Sequence, residues 1–265
     1  MGALKLAVQE NMLPGATLAE KLDNLEKYGY DGIEFGGGGI LERVKEIKKA
    51  LKGRKVKAST ICAGYPGCPL AADKAERDQA IAGAKELLKA AGDIGAVGLI
   101  FVPIFGGPRL PDLSPHRDAI QLEKDLLTLY AAELGQVAKK AGTLLLLEPL
   151  NRYETHLLCR LEQAVEICRA CDSKSVKLMA DFFHMNIEEP DIPASIRAAG
   201  DYVAHVHLAD SIRWLPGYGH TDFRSGFKAL KEIGFEGYMA LECHVPGDPK
   251  VELRKCAKFL KAQMK

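Results

Sequence analysis

The sequence predicts an α/β fold that closes as a (β/α)8 barrel. Short β-rich runs alternate with longer helical stretches along the whole chain, and strands that alternate with helices form parallel sheets. Eight such units in 265 residues average about 33 residues each, and a barrel of this kind needs roughly 250 residues. We therefore expect residues 1–265 to form a single barrel domain.

Eight runs are predicted as strands, and most are apolar on both faces, as a buried parallel sheet requires. The predicted strands are Leu4–Val8, Gly32–Phe35, Val56–Cys62, Val97–Pro103, Thr143–Glu148, Val176–Asp181, Val203–Leu208 and Tyr238–Glu242. The predicted helices are Thr17–Tyr28, Ile40–Leu51, Asp73–Ala91, Ser114–Ala141, Arg160–Ala170, Phe223–Glu232 and Pro249–Lys265. A glycine follows several helical runs, where a left-handed cap needs no Cβ: Gly29, Gly92, Gly142 and Gly234.

Charge and composition exclude several classes of protein. The chain has 36 basic and 35 acidic residues and a formal net charge of +1, which gives no electrostatic reason to expect nucleic acid or a membrane surface as partner. The longest wholly apolar run, residues 144–147, is too short to span a bilayer. The N-terminal residues lack the apolar core of a signal peptide, and the cysteines lack zinc-finger spacing. We therefore expect reduced thiols and a cytoplasmic location.

Four consecutive predicted strands end in a side chain that can bind a metal ion. These side chains are Glu148, Asp181, His207 and Glu242, and neighbouring ones are one βα unit apart in the sequence. In a barrel of this type the carboxyl ends of all strands meet at one mouth, where the chemistry takes place. The four side chains are therefore expected to lie around one point.

Three carboxylates buried together repel one another, and their desolvation costs several kcal/mol each. A bound cation offsets this cost. Carboxylate oxygens with one imidazole nitrogen form a hard ligand set that suits one divalent ion. We expect Mn²⁺, with Co²⁺, Mg²⁺ or Zn²⁺ as alternatives.

Further polar residues follow the same strands. His184 lies three residues beyond the sixth strand, Glu154 lies on the loop after the fifth, and Arg213 lies on the loop after the seventh. Each of these alone is typical of a rim or surface residue. His205 shares a face with the seventh strand's ligand by strand alternation, and we interpret it as a hydrogen-bonded core histidine.

The C-terminal half resembles the xylose-isomerase-like TIM barrels of sugar isomerases and epimerases, and among them the ketose 3-epimerases that act on D-tagatose and D-psicose. The matching segments are EPLNRYE (148–154), DFFHM (181–185), HVHLADSIRWLPGYGHTDF (205–223) and ALE (240–242). The first 100 residues agree with these families only in general pattern.

The resemblance implies a role for each matching residue. Glu148, Asp181, His207 and Glu242 would bind one divalent metal ion, and Glu148 and Glu242 would also be the catalytic acid/base pair. The residues in contact with the substrate, near its C1 and C2 oxygens, would be Glu154, His184 and Arg213. A sugar substrate and a homodimer or homotetramer are expected on the same grounds.

Epimerisation of a ketose at C3 requires removal of a proton next to the C2 carbonyl, which gives a cis-enediolate. One carboxylate would take the proton on one face and the other would return a proton on the opposite face. His184 and Arg213 could donate hydrogen bonds to the oxygen that gains charge.

The same site suits other reactions. An aldose–ketose isomerase and a hydroxypyruvate isomerase use the same type of intermediate, and an inosose-type dehydratase of a keto-polyol would expel a β-hydroxyl from it. A non-enzymatic alternative is a metal-containing sugar-binding module. A nuclease of the endonuclease IV type is disfavoured, because the second, third and fourth strands end without a histidine. Substrate selectivity would come from rim loops at residues 9–14, 36–39, 62–70 and 103–115.

Overall fold

The structure is a computed structural model that describes residues 4–265. Its strands form one closed parallel barrel in chain order, in which the first strand pairs with both the second and the eighth. The strands are Lys5–Gln9 (β1), Gly32–Gly36 (β2), Lys57–Cys62 (β3), Gly98–Phe101 (β4), Leu144–Leu147 (β5), Val176–Asp181 (β6), Val203–Leu208 (β7) and Tyr238–Leu241 (β8). The predicted (β/α)8 barrel is confirmed.

Helices surround the barrel and follow its strands. They are Leu18–Tyr28 (α1), Ile40–Leu51 (α2), Lys74–Ile94 (α3), Ala119–Ala141 (α4), Leu161–Ala170 (α5), Phe182–Glu188 (α6), Ile192–Ala199 (α7), Phe223–Glu232 (α8) and Pro249–Gln263 (α9). Side-chain caps begin several of them: Thr17 and Glu20 form a capping box at α1, and Asp118 caps α4. No helix in the described part of the chain is long and apolar enough to cross a membrane.

Most predicted limits lie within two residues of those of the structure, and three differences are larger. The fourth helix starts at Ala119, not Ser114, because Asp118 is its N-cap and residues 114–118 belong to the preceding loop. The short helices α6 and α7 were not predicted. Gly92 lies inside α3, which is capped by Gly95 instead. A Cβ at Gly92 would lie 2.5 Å from the carbonyl oxygen of Ala141, so this glycine serves close packing of α3 against the end of α4.

Side chains alternate between the two faces of each strand, and this alternation directs the candidate functional residues into the mouth of the barrel. Ile100, Leu146 and Met179 form an apolar cluster that is separate from the larger core between the sheet and the helices. Glu148 and Asp181 follow Leu146 and Met179 by two positions, so they share the same face of their strands one level higher. The apolar cluster therefore lies beneath the charged groups at the carboxyl ends of the strands.

Candidate metal centre and active site

The barrel brings together the four side chains that end its last four strands. One ligand atom from each of Glu148, Asp181, His207 and Glu242 lies within 4.8 Å of every other. Three of these residues are buried, and Glu242 is partly exposed. Carboxylates this close together repel one another unless cations lie among them.

Glu34 orients the imidazole of His207. Nε2 of His207 lies 3.0 and 3.2 Å from the two carboxylate oxygens of Glu34. These oxygens accept, so Nε2 carries the hydrogen and the neutral ring presents the lone pair of Nδ1 to the opposite side. Nδ1 is buried without a hydrogen-bond partner among the described residues. It faces carboxylate oxygens of Glu242 at 3.2 Å, Glu148 at 3.6 Å and Asp181 at 3.8 Å.

An unpartnered imidazole nitrogen facing three carboxylates fits a divalent cation. A ligating histidine commonly donates its other N–H to a carboxylate, which is the role that Glu34 has here. The residues that would hold the ion are thus His207 through Nδ1 and the three carboxylates around it.

Glu34 is the functional residue that sequence reasoning missed. It is completely buried in β2 and also contacts Nε2 of His205 at 2.9 Å and the hydroxyl of Thr60 at 2.5 Å. The amide of Gln9 donates to Glu34 at 2.9 Å and to Glu242 at 2.8 Å, and so connects the buried carboxylate with the cluster. The available signal was a single charged residue inside the otherwise apolar run GIEFG. His205 is a buried, hydrogen-bonded core histidine, as predicted.

Burial and neighbouring charges move the pKa values of the cluster in different directions. Burial raises the pKa of Glu148 to about 7. Burial alone would also raise the pKa values of Asp181 and Glu242, but cationic neighbours, chiefly Arg213 and His207, outweigh it and hold both below their usual range. Burial lowers the pKa of His207, yet Glu34 and Glu242 together hold it well above its usual range. A metal ion and a second proton are therefore alternatives at Nδ1 of His207.

Arg213 brings its guanidinium into the carboxylate cluster from the loop between β7 and α8. Its Nη1 donates to Asp181 at 3.0 Å, its Nη2 contacts Glu242, and the guanidinium lies 4.6 Å from the centre of the Phe183 ring. Arg213 has a φ of 59°, in the left-handed region that non-glycine residues seldom adopt. Such a conformation persists only where the surroundings hold it.

Asp210 holds this loop in place. Its buried carboxylate accepts the backbone N–H groups of Ser211, Gly217 and Thr221 at 2.8, 2.8 and 3.0 Å. Backbone donors that converge on one carboxylate stabilise a tight loop without regular secondary structure. The loop therefore positions Arg213 through Asp210.

His184 and Glu154 lie beside the cluster, next to Arg213. His184 is buried in the first turns of α6; its Nδ1 accepts the backbone N–H of Asn151 at 3.0 Å, and its Nε2 lies 3.2 Å from Nη1 of Arg213. Burial lowers the pKa of His184, which favours the neutral ring. Glu154 accepts from the Asn151 amide at 2.8 Å and lies 3.9 Å from Nδ1 of His184. The three predicted substrate contacts thus form one side of the site.

Comparison with known proteins places this barrel in a family. The family described as xylose isomerase-like TIM barrel matches residues 22–263. The chain belongs to the xylose isomerase-like TIM barrel family.

Particular relatives cover nearly the whole chain. The 3-dehydro-D-guloside 4-epimerase of Escherichia coli (strain K12) is 30% identical over 97% of this chain and 99% of its own length. The L-ribulose 3-epimerase of Mesorhizobium japonicum is 30% identical over 85% of this chain and 75% of its own length. The apo crystal structure of a 3-keto-D-glucoside 4-epimerase from E. coli superposes with a TM-score of 0.89 at 29% identity, covering 98% of this chain and all of that chain.

Proposed function

We propose that this protein is a metal-dependent epimerase that inverts C3 of a ketose, the carbon next to its carbonyl. The observation that carries the proposal is the placement of two carboxylates, Glu148 after β5 and Glu242 after β8, with two strands between them in the ring. Both face the same imidazole nitrogen of His207, at 3.6 and 3.2 Å. Inversion requires one group to take a proton and another to return it from the opposite face, and two separate carboxylates suit this task.

The residues around the cluster supply the remaining functions. The ion held by Glu148, Asp181, His207 and Glu242, which we propose is Mn²⁺, would polarise the substrate carbonyl as a Lewis acid. Arg213 and His184 would donate hydrogen bonds to the oxygen that gains negative charge when the proton leaves.

Glu154 would bind a substrate hydroxyl from the same side of the site. The L-ribulose 3-epimerase among the relatives supports a ketose as the substrate. A cytoplasmic location and a homodimer or homotetramer also stay predictions.

A second candidate is epimerisation at C4 of a 3-keto-glycoside. It is favoured by the relative named 3-dehydro-D-guloside 4-epimerase, 99% of whose length aligns with this chain. The two reactions share the removal of a proton from the carbon next to a ketone. They differ in the substrate and in the carbon that is inverted.

The test is a panel of ketoses and 3-keto-glycosides incubated with the Mn²⁺-loaded protein in D₂O and analysed by NMR. We expect deuterium at C3 of a ketose together with its C3 epimer. Label at C4 of a 3-keto-glycoside would establish the second candidate instead. Label at C1 would indicate an isomerase, and a dehydrated, ultraviolet-absorbing product would indicate a dehydratase. Absence of exchange in every sugar would refute the epimerase proposal.

The Glu242→Gln variant tests the two-carboxylate mechanism. We expect it to fold and to lose exchange by about 10²- to 10⁴-fold, the usual contribution of a positioned proton-transfer group. Glu236→Gln is the matched control, because Glu236 is exposed and lies just before β8 at the opposite end from the site. Exchange in Glu242→Gln at the rate of the control would contradict the mechanism.

A further inference from the structure

The loop between β4 and α4 is tied to the loop between β5 and α5 beside the active site. The backbone N–H of Gly106 donates to the carbonyl of Glu154 at 2.8 Å, and the hydroxyl of Thr155 donates to the carbonyl of Ile104 at 2.8 Å. His156 continues the connection, since its Nδ1 lies 2.7 Å from the carbonyl oxygen of Gly106. These contacts form a short ladder between the two loops.

A buried carboxylate completes the ladder from the side of α4. Glu123 has no exposed side-chain surface, and its Oε2 lies 2.5 Å from Nε2 of His156. Its Oε1 accepts the backbone N–H groups of Arg109 at 2.7 Å and Leu110 at 3.4 Å. The Glu123 carboxylate thus binds the β4–α4 loop at residues 109 and 110. It also holds the imidazole of His156, which contacts the same loop at Gly106. We refer to Glu123 and His156 as the loop clamp.

The loop clamp requires two protons. The carbonyl of Gly106 can only accept, so Nδ1 of His156 must carry a hydrogen. Nε2 faces a carboxylate oxygen at hydrogen-bonding distance, so a second proton must lie between these two atoms. A neutral imidazole beside an ionised Glu123 could make only one of the two bonds. The geometry therefore assigns a specific protonated state to this pair.

The β4–α4 loop forms one wall of a cleft of about 420 Å³ at the barrel mouth. Ile104, Phe105 and Arg109 line this wall, and Tyr65 and Pro69 line the opposite one. The cleft is predominantly apolar in its lining, which also contains Arg109 and Glu76, with charged groups 3.6 Å apart. It suits the part of a sugar substrate that lies beyond the reacting carbons.

The cleft lies at the ends of β3 and β4, and β4 is the neighbour of β5, the strand that Glu148 follows. The ring of Tyr65 stacks on Phe101 at a centroid distance of 5.0 Å, and its hydroxyl donates to the carbonyl of Val102 at 2.5 Å. The carbonyl of Phe101 in turn accepts the backbone N–H of Glu148. The ladder contacts Glu154 only at its backbone carbonyl, and the amide of Asn151 holds the Glu154 carboxylate at 2.8 Å.

We propose that Glu123 and His156 are positioning residues, which hold the cleft wall so that the distal carbons of the sugar bind in the cleft. This inference rests on the proposed epimerase function. Neither residue contacts the metal ligands, so both act through the loop that they hold. The loop clamp is thus expected to determine how well longer sugars bind, and to leave proton transfer at the reacting carbon almost unchanged.

The kinetic test compares His156→Gln and Glu123→Gln with the wild type on a six-carbon ketose and on the four-carbon ketose erythrulose. We expect KM for the six-carbon sugar to rise about tenfold while kcat changes less than about threefold, which is the signature of lost binding. KM for erythrulose should stay within about twofold, because this sugar is too short to occupy the cleft. His116→Gln is the matched control, since His116 is an exposed histidine of the same loop.

Equal KM changes for both sugars, or none for either, would overturn the positioning role while leaving the epimerase function intact. A second measurement does not depend on turnover. Nitrogen-15 NMR should show a hydrogen on Nδ1 of His156, and the amides of Gly106, Arg109 and Leu110 should exchange with solvent about tenfold faster in both clamp variants. If the wild type converts no keto-sugar, the function fails but the exchange rates still test the clamp. Unchanged exchange rates would show that the pair does not hold the loop.

Discussion

At the scale of single residues, Glu34 determines which nitrogen of His207 faces the carboxylates. Its two oxygens occupy the Nε2 side of the ring, at 3.0 and 3.2 Å, so only Nδ1 is directed toward Glu148, Asp181 and Glu242. A ligand histidine with a carboxylate behind it is more basic and is fixed in one orientation. Glu34 therefore orients one of the four candidate ligands although it is not among them itself.

Replacement of this carboxylate tests its role. We predict that Glu34→Gln lowers Mn²⁺ affinity by about 10- to 100-fold, because the amide is neutral and its NH₂ group would oppose an N–H of His205 or His207. A competition titration against a metal-sensitive dye measures the affinity. Glu46→Gln, at an exposed carboxylate of α2, is the control. Equal affinities of the two variants would remove Glu34 from the centre.

The convergence of the four candidate ligands could be predicted from the sequence, and the contact of Glu34 with them could not, for a physical reason. Each predicted ligand ends an apolar strand, and the spacing of one βα unit indicates that the four can converge. Glu34 is defined by its partners, and those partners, His205 and His207, are 171 and 173 residues away. Only the closed barrel brings β2 across from β7. The loop clamp likewise joins residues whose proximity depends on two irregular loops.

At the scale of elements, the turn after β1 is fastened to the first two helices by one carboxylate. Glu10 makes a two-pronged contact with Arg43 of α2, at 2.8 and 2.9 Å, and lies 3.6 Å from Lys21 of α1. Burial alone would raise the pKa of Glu10, but Arg43 and Lys21 outweigh it and hold this pKa below its ordinary value of 4.5. These ion pairs therefore connect the turn after β1 with both α1 and α2.

The stabilisation from this pair depends on pH in a definite direction. Because the folded pKa of Glu10 is depressed, the contribution is complete above pH 4.5 and is lost as the pH falls through the folded pKa. We predict that Glu10→Gln lowers the free energy of unfolding by about 1 kcal/mol at pH 7 and by progressively less as the pH falls through the folded pKa of Glu10. Urea titrations at several pH values measure this difference. Glu42→Gln, at an exposed position of α2, should show no such dependence.

Regular elements follow from the sequence more readily than short ones. The residues of α2, α8, β6 and β7 were predicted with the same limits that the structure shows. The helix α6 was missed because it is short and follows β6 without a turn. The helix α7 was missed although Asp191 caps it and a proline stands in its first turn, which are both helix-start signals. Asp181 both ends β6 and caps α6, so strand and helix meet without a connecting loop. A sequence pattern cannot mark both the end of a strand and the start of a helix when one residue has both roles.

At the scale of the whole molecule, ion binding should be coupled to the stability of the barrel. The ligands come from β5, β6, β7 and β8, so the complete site exists only in the folded chain. A ligand present at 100 times its Kd stabilises the native state by about 2.7 kcal/mol. Half of the barrel is therefore expected to unfold less readily when the site is loaded.

We predict that saturating Mn²⁺ raises the Tm of the EDTA-treated protein by about 5 to 10 °C, given the usual dependence of Tm on stability for a chain of this size. EDTA should remove epimerase activity, and Mn²⁺ or Co²⁺ should restore it. Calorimetric scans with and without the ion measure the shift. Glu148→Gln should abolish most of it, whereas an equal shift in this variant would place the ion elsewhere.

The closed barrel itself was predicted from the chain length and from the regular alternation of strands and helices. This alternation extends over the whole sequence. It therefore predicts the barrel even where the predicted boundary of a strand or helix is wrong by several residues. The shape of the cleft at the mouth could not be predicted from chain length and alternation. Its shape depends on the β3–α3 and β4–α4 loops, whose conformations are held by tertiary contacts such as those of Glu123 and His156.

The burial of Glu148 bears on how this protein can evolve. Its pKa is raised to about 7, so the fold without an ion disfavours the charged carboxylate that a metal centre needs. A glutamine of the same shape would suit the empty fold better and would remove a ligand. Selection for heat tolerance in the absence of the ion should therefore accumulate neutral substitutions at this position, and selection for activity should reverse them. The amino ends of the strands, far from the mouth, are where the two kinds of selection can act without opposing each other.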